Sequence, residues 1–408
     1  MNKKLVAFAV AGVLAAPLTA EAQTANVTLY GRLNLDMEVV NAKQDLSAGG
    51  CGCKESMYFV KSNSSRLGVR GSEALGGGLS AVFQIESSVG ATNGGGGGAT
   101  LGTRETFVGL QGGWGTFKLG YFLTPYDDIH PIFGDVPTLG TSILGTQALW
   151  SNTGWSGNSQ YGGAFDDRAA NSIRYDSPNI AGFTGSVQIG SGTSGGDATG
   201  SNNATPTTLE AQRKHAYMTS VNGLYNNGPF QGGIAYEFHN NFRPGSATNP
   251  KLQDQGVTVA AAWNFGVAKV GGVFERVKYD IVTGGTLQRN FWGASLTWNL
   301  GPGQLYAMGG WAQNGSGSSA TGSQVGAVRQ GSNTGAQQYE VSYTYALSKR
   351  TLTYFGYNII NNRSNGAYNF GVNQVSGLCG LSTSGQTATG CGSSAKPQGL
   401  IAGLVHFF

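Results

Sequence analysis

Residues Val27–Val40 read VTLYGRLNLDMEVV and sort into two sets at every second position. Val27, Leu29, Gly31, Leu33, Leu35, Met37 and Val39 form one set; Thr28, Tyr30, Arg32, Asn34, Asp36 and Glu38 form the other. Successive side chains of a strand point to opposite faces. A strand here is therefore apolar on one face and carries an unbroken row of hydrogen-bonding and charged groups on the other. Such a strand belongs between lipid and water.

Residues 1–22 are set aside as an export signal. MNKK is a basic start, LVAFAVAGVLAAPL is an apolar stretch too short to span a bilayer, and Ala20-Glu21-Ala22 fits a small-x-small cleavage site. Residues 23–408 are then the mature chain. Only 39% of the sequence is apolar and 68 residues are Gly, which is little material for a soluble core of this length. After residue 22 no run of 18 uncharged apolar residues occurs, which excludes membrane-spanning helices. The formal net charge of +4 is too balanced for a nucleic-acid binder, which needs a concentrated basic face. Aromatic residues are nonetheless plentiful, with 17 Tyr, 19 Phe and 7 Trp. Export, alternation, Gly and Tyr together point to an outer-membrane β-barrel, whose strands signal weakly one by one and strongly by repetition.

The turns give the strand count. Short connections fall at Gly71–Leu79, Gln111–Thr116, Ser177–Phe183, Tyr225–Phe230, Asn264–Val267, Asn299–Leu305 and Ala346–Thr351, each with turn residues between β-rich runs. Long polar stretches lie between them, at about 41–56, 89–101, 122–169, 190–213, 240–253, 280–288, 314–336 and 361–397. Seven turns and eight loops join sixteen antiparallel strands, with both termini on the short-turn, periplasmic side. Trp292, Ala294, Leu296, Trp298 and Leu300 read as one lipid-facing stripe, and Tyr339, Val341, Tyr343, Tyr345 and Leu347 as another. Ser295, Thr297 and Asn299, and Gln338, Glu340, Ser342 and Thr344, lie on the reverse faces. Apolar outside and wet inside is the pattern of a channel. The last strand, LIAGLVHFF, steps by twos through Leu400, Ala402, Leu404 and His406 to a terminal Phe408.

Several stretches, in order, resemble the general porins of Gram-negative bacteria, of the kind common in β-proteobacteria. They are VTLYGRLN, SSRLGVRGSEALGGGLSAVFQIE (Ser64–Glu86), TRETFVGLQGGWGTFKLGY (Thr103–Tyr121), RAANSIRYDSPNIAGFTGSVQ (Arg168–Gln188), LSKRT and GLVHFF. The resemblance covers the whole mature chain. It implies a homotrimer of sixteen-stranded transmembrane barrels in outer-membrane lipid, a third extracellular loop folded into each lumen, and an eyelet where wall bases face loop acids. It also implies that Phe408 is the signal read by the barrel-assembly machinery. Arg32, Arg66, Arg104 and Arg168 match the family's basic cluster; Arg70 is a fifth wall candidate, with Lys118 and Arg174 weaker ones.

The third loop, about 122–169, is the longest internal one, and a loop beyond about 15 residues is more often functional. It holds Asp127, Asp128, Asp135, Asp166 and Asp167, of which Asp127, Asp128 and Asp135 are assigned to the eyelet. Opposed guanidinium and carboxylate rows set up a field that orients dipolar solutes and penalises apolar ones. Guanidinium stays charged at any physiological pH. In HPIFGD (His130–Asp135), Ile132 stands where enterobacterial porins carry a Glu. One acid is missing beside an intact arginine row, which implies a net positive constriction and a preference for anions, unless Asp135 restores the charge.

Cys51, Cys53, Cys379 and Cys391 all fall in extracellular loops, where an oxidising environment favours bridging. Cys379–Cys391 and Cys51–Cys53 is the favoured pairing, and cross-pairing of the first and eighth loops is the alternative. Nothing in the chain calls for a cofactor or metal. Neither HExxH nor GxxxxGK[ST] occurs, and the formal GxSxG match at Gly192–Gly196 lies in a Gly/Ser-rich loop rather than at a strand-to-helix elbow. The expected function is a diffusion channel for small hydrophilic solutes, not an enzyme. A substrate-specific channel for small anions and a barrel hydrolase are the alternatives.

Overall fold

The computed structural model describes residues 26–44, 54–92, 101–134, 142–151, 164–191, 216–243, 251–370 and 394–408. Sixteen strands close on themselves. They are β1 (Asn26–Lys43), β2 (in two segments, Lys54–Ser62 and Arg66–Gly76), β3 (Leu79–Ser88), β4 (Thr106–Gly112), β5 (Gly115–Leu123), β6 (Arg168–Asp176), β7 (Phe183–Ser191) and β8 (Tyr217–Asn227). Then come β9 (Phe230–Asn240), β10 (Gln253–Asn264), β11 (Ala268–Asp280), β12 (Thr286–Leu300), β13 (Gly303–Ala312), β14 (Ala336–Ala346), β15 (Thr351–Asn362) and β16 (Lys396–Phe407). Each pairs antiparallel with its neighbours in sequence, and β1 pairs with β16 to close the ring. Closure matters because a lipid-exposed sheet edge would leave backbone groups with nothing to bond. At the seam Gly31 N–H donates to the Phe408 carbonyl at 3.0 Å, and Phe408 N–H donates to the Gly31 carbonyl at 3.1 Å.

Every expected turn falls between the strands expected. The long connections, 44–53, 89–105, 124–167, 192–216, 241–252, 281–285, 313–335 and 363–395, all leave from the opposite end. Outward-facing residues are apolar, as at Leu33, Met37 and Val39 on β1, while Asn34, Asp36 and Glu38 point in and are buried. Near the short-turn end an aromatic belt runs around the outside. Phe183 and Tyr225 lie 4.5 Å apart, Tyr225 and Phe230 5.9 Å, and Phe230 and Trp263 6.4 Å. Such girdles sit at the boundary between hydrocarbon and headgroups.

One irregularity shapes the site. The register between β1 and β2 runs to Leu35↔Ser62 and resumes at Arg32↔Arg66, so Asn63, Ser64 and Ser65 oppose Leu33 and Asn34. This is a β-bulge with one extra residue, and Ser64 takes the left-handed backbone conformation at φ 51°. An extra residue exchanges the two faces of a strand. Above the bulge, even-numbered Tyr58 and Val60 are exposed outside; below it, even-numbered Arg66 turns inward beside Arg32. Without the bulge, Arg66 would share a face with Val60 and meet lipid.

Candidate functional site

The wall built by β1 to β6 carries the charge. Arg32 and Arg66 are direct cross-strand partners. Like charges placed opposite each other destabilise a sheet, so the pairing exists for another reason. The bulge helps hold it, because Arg32 Nε donates to the Ser64 carbonyl at 3.2 Å. Between the bases stands Glu86 of β3. Its Oε1 receives Arg104 Nε at 2.6 Å and Arg66 Nη1 at 3.4 Å, and its Oε2 receives the Tyr30 hydroxyl at 3.0 Å. Tyr30 reaches across β2 only because Gly68 lies beneath its ring; a Cβ there would sit 2.5 Å from Tyr30 Cζ. Arg104 lies within electrostatic reach of both Arg66 and Arg168. Arg168 pairs with Glu105 at 3.3 Å, and Glu105 also accepts the Leu123 N–H at 3.1 Å. Arg70 lies one step nearer the short turns, its guanidinium 5.0 Å from the Tyr30 ring centre.

The third loop takes the other side. Its first part turns through a 3-10 segment (Asp127–Ile129) into one helical turn (His130–Phe133). Pro131 suits the first turn, where no N–H partner is needed, and Gly134 closes it at φ 100°. Thr124 Oγ1 donates to the Phe165 carbonyl at 3.1 Å and clips the start of the loop to its end. Ile129, Ile132, Phe133, Ile143, Leu144, Trp150 and Phe165 are buried against the wall. The wall makes room with inward-facing glycines. A Cβ at Gly233 would meet Ile129 and Ile132 at under 3 Å, one at Gly256 would meet Phe165, and one at Gly293 would meet Phe133. Across the lumen, Leu144 sits on Gly356 and Ile143 on Gly399. The described loop residues thus cover strands β8 to β12 and β14 to β16. Gly293→Val is expected to unseat Phe133 and destabilise loop docking by about 1–3 kcal/mol, as overpacking does. Faster proteolysis within the loop, with the barrel still folded, is the measurement.

Polar bonds fix the same loop. Glu275 of β11 and Arg289 of β12 pair with each other, both side chains 0% exposed. Glu275 accepts the Tyr126 hydroxyl at 2.8 Å and the Ser151 N–H at 2.9 Å, while Arg289 donates to the Leu149 carbonyl. Trp150 Nε1 donates to Thr258 Oγ1 at 3.3 Å, and Gln338 Nε2 to the Gly145 carbonyl at 2.9 Å.

The loop acids divide. Asp128 is bound to the wall beside it, receiving Arg174 Nη2 at 2.6 Å and Asn222 Nδ2 at 2.9 Å. Burial pushes its carboxyl above the usual carboxylate range, against the pull of Arg174. Arg174 in turn holds Asp176, which also takes Lys118 Nζ at 2.7 Å. The weaker wall bases, Lys118 and Arg174, therefore serve this second network rather than the arginine row. Asp127 lies 3.5 Å from His130 Nδ1, and burial drives the His130 imidazole down to about 3, so the ring is neutral. Ile132, at the missing acid, is an apolar anchor over Gly233. Asp135 and all four cysteines lie outside the described residues, as do residues 1–22.

Sequence reasoning missed Glu86 and Glu105. Both were legible: Glu86 follows Gln84 at a two-residue step, and Glu105 directly follows the matched Arg104. Four guanidinium groups, on Arg32, Arg66, Arg104 and Arg168, thus surround two carboxylates. The net charge of this wall patch is +2.

A closed barrel with a greasy exterior, a charged interior and a loop seated across its bore defines a transmembrane pore with a constriction. The family profile for Gram-negative porins matches residues 7–365, and the chain belongs to that family. It is a channel of the bacterial outer membrane. It is 28% identical to outer membrane porin protein 32 of Delftia acidovorans over the full length of both chains. An anion-selective porin from Comamonas acidovorans has the same fold, with a TM-score of 0.67 and 23% identity, over 94% of this chain and 100% of that one. The trimer form of OmpT from Vibrio cholerae follows with a TM-score of 0.60 and 12% identity, over 94% of this chain and 99% of that one.

Proposed function

We propose that this porin is a passive diffusion channel for small hydrophilic solutes with a preference for anions. The observation that carries the preference is the wall patch: four arginines against Glu86 and Glu105, facing a loop whose Asp128 already has Arg174 for a partner. A permeating anion gains from the excess guanidinium charge, and a cation loses by it. Arg66, Arg104 and Arg168 keep part of their side-chain surface exposed, whereas Arg32 is buried. The fixed positions of the bases matter as much as their number. Arg66, Arg104 and Arg168 are each braced by a carboxylate and Arg32 by a carbonyl, so a solute meets a preformed row.

The remaining assignments belong to the same reading. Three copies assemble as a homotrimer in outer-membrane lipid, as the OmpT relative does. Residues 1–22 direct export, and Phe408 addresses the barrel-assembly machinery. Transport involves no cofactor and no chemical step. Purified protein in a planar bilayer tests the reading. Conductance steps in threes, and a reversal potential of anion-selective sign in a salt gradient, are expected; a cation-selective sign overturns the preference.

A further inference from the structure

We propose that Arg276 and Lys278 on the outside of β11, with Gln288 and Asn290 of β12, bind the phosphate of an anionic lipid headgroup in the outer leaflet. Both bases stand on the lipid-facing surface, Arg276 exposed and Lys278 half-buried, in line with apolar Val270 and Phe274. Odd-numbered Val273, Glu275 and Val277 take the inward face, so neither base serves the bore.

Their height puts them at headgroup level. Arg276 and Lys278 lie eight and ten residues along β11 from Ala268, whose cross-strand partner Trp298 is exposed at the short-turn end. At about 3.3 Å per residue and a tilt of about 40°, these steps climb roughly 20 and 25 Å, the height of the apolar band of such a barrel. An aromatic layer marks the same boundary. Phe274 and Trp292 stand 4.3 Å apart, one step below Arg276 and Asn290, and Trp311, the cross-strand partner of Trp292, lies 6.2 Å from Tyr339. Aromatic girdles sit where hydrocarbon gives way to headgroups. The long loops leave from this end, which makes the leaflet the outer one.

The local chemistry is that of an anion site. Lys278 lies opposite Gln288 in the ladder, and Arg276 opposite Asn290. Arg276 Nη2 donates to Gln288 Oε1 at 2.7 Å, and Asn290 Nδ2 donates to Gln313 Oε1 at 3.1 Å. The first bond steers the guanidinium and leaves its other N–H groups to grip two phosphate oxygens together. Among the described residues no carboxylate pairs with either base. Asp280, the next acid along the strand, accepts the Gln253 N–H at 3.0 Å. Two cations a single step apart on one face repel, and a phosphate set between them reverses that cost. The Lys278 stem lies along apolar surface while its ammonium reaches the headgroup, and the rings below offer a bed for the start of the acyl chains. A zwitterionic headgroup brings its own cation beside the phosphate and gains less.

Lipid A, a glycolipid with two phosphates, is the probe. Folded porin in neutral detergent, titrated with lipid A and followed by native mass spectrometry, is expected to retain it in preference to phosphatidylcholine. Arg276→Gln/Lys278→Gln, checked for folding by heat-modifiable migration, should weaken lipid A binding at least tenfold. Lys349→Gln/Arg350→Gln, in the last short turn, removes the same charge at the opposite end of the barrel and should leave binding unchanged. Lipid A affinity that is unaltered in the first double variant, or reduced equally in both, overturns the proposal. Displacement of lipid A by millimolar inorganic phosphate overturns it too, since the site would then serve the free anion. So does a change of oligomeric state in Arg276→Gln/Lys278→Gln with lipid A binding intact, which would place the patch between copies of the chain. The bases lie outside the bore, so no arm of the test depends on the sign of the ion selectivity.

Discussion

Exchanging Arg66 and Arg104 for glutamine is expected to bring the pore close to non-selective. The substitutions lower the wall patch from +2 to neutral while leaving Arg32, Arg168 and the barrel in place. A unit charge about 6 Å from a permeating ion contributes about 0.7 kcal/mol in the dielectric of bulk water, and more where the wall excludes water. The same charge raises the energy of a cation by as much as it lowers that of an anion. Removing two charges therefore shifts the anion-to-cation ratio by up to about a hundredfold before screening. At roughly 0.1 M salt, screening over about 10 Å brings this nearer tenfold. The reversal potential in a KCl gradient measures it. Glu86→Gln is the opposite arm: it raises the patch to +3 and should strengthen anion preference. If the double variant keeps the wild-type reversal potential, selectivity is set elsewhere.

The architecture was written plainly in the sequence because closure imposes repetition. Each hairpin needs its own turn, and six of the seven turns carry Gly, Asn or Pro, the seventh being Ala346–Thr351 with Ser348. The third loop, read as about 122–169, spans 124–167 between its strands. Outward stripes such as Trp292–Leu300 were legible for the same reason, since lipid accepts nothing polar along them. The inward faces were less regular. On β11, inward Val273 and Val277 are apolar, whereas outward Arg276 and Lys278 are charged. The inward apolar residues are there because the third loop packs against that wall. A rule that puts ions inside fails wherever the inside is covered by protein.

The site was legible in part. Arg32 lies on a clean alternation and faces inward as its neighbours require. Arg66 does not, because the bulge at Asn63–Ser65 exchanges the faces of β2 between Val60 and Arg66. A bulge leaves no alternation of its own in the sequence, so the position of Arg66 came from family resemblance and not from periodicity. The docking glycines were equally silent. Gly233, Gly256, Gly293, Gly356 and Gly399 stand in strand segments where glycine costs stability, and their use emerges only once a second surface is laid on them. Glu275 and Arg289 were not singled out from the sequence at all. Their partners lie about 125–140 residues away in the loop, a separation no local pattern encodes.

That pair sets the second large effect. Glu275→Leu is expected to release the third loop while the barrel survives. The substitution leaves the Arg289 guanidinium buried without its carboxylate and removes the acceptor of both the Tyr126 hydroxyl and the Ser151 N–H. Breaking one side of a buried ion pair destabilises by about 3–5 kcal/mol. At 1.4 kcal/mol per factor of ten, the ratio of docked to undocked loop falls more than a hundredfold. The sixteen-strand ladder is held by its own backbone bonds, so the loss stays local to the loop. Single-channel conductance should rise and become noisy, and protease should cut within the loop, whereas heat-modifiable migration of the barrel stays as in the wild type. The double variant Glu275→Leu/Arg289→Met removes both charges together and should recover much of the docking, since an apolar pair of similar volume can replace a buried ion pair. If Glu275→Leu conducts as quietly as the wild type, the apolar contacts over the glycine-lined wall suffice to hold the loop, and the ion pair is not what keeps the pore narrow.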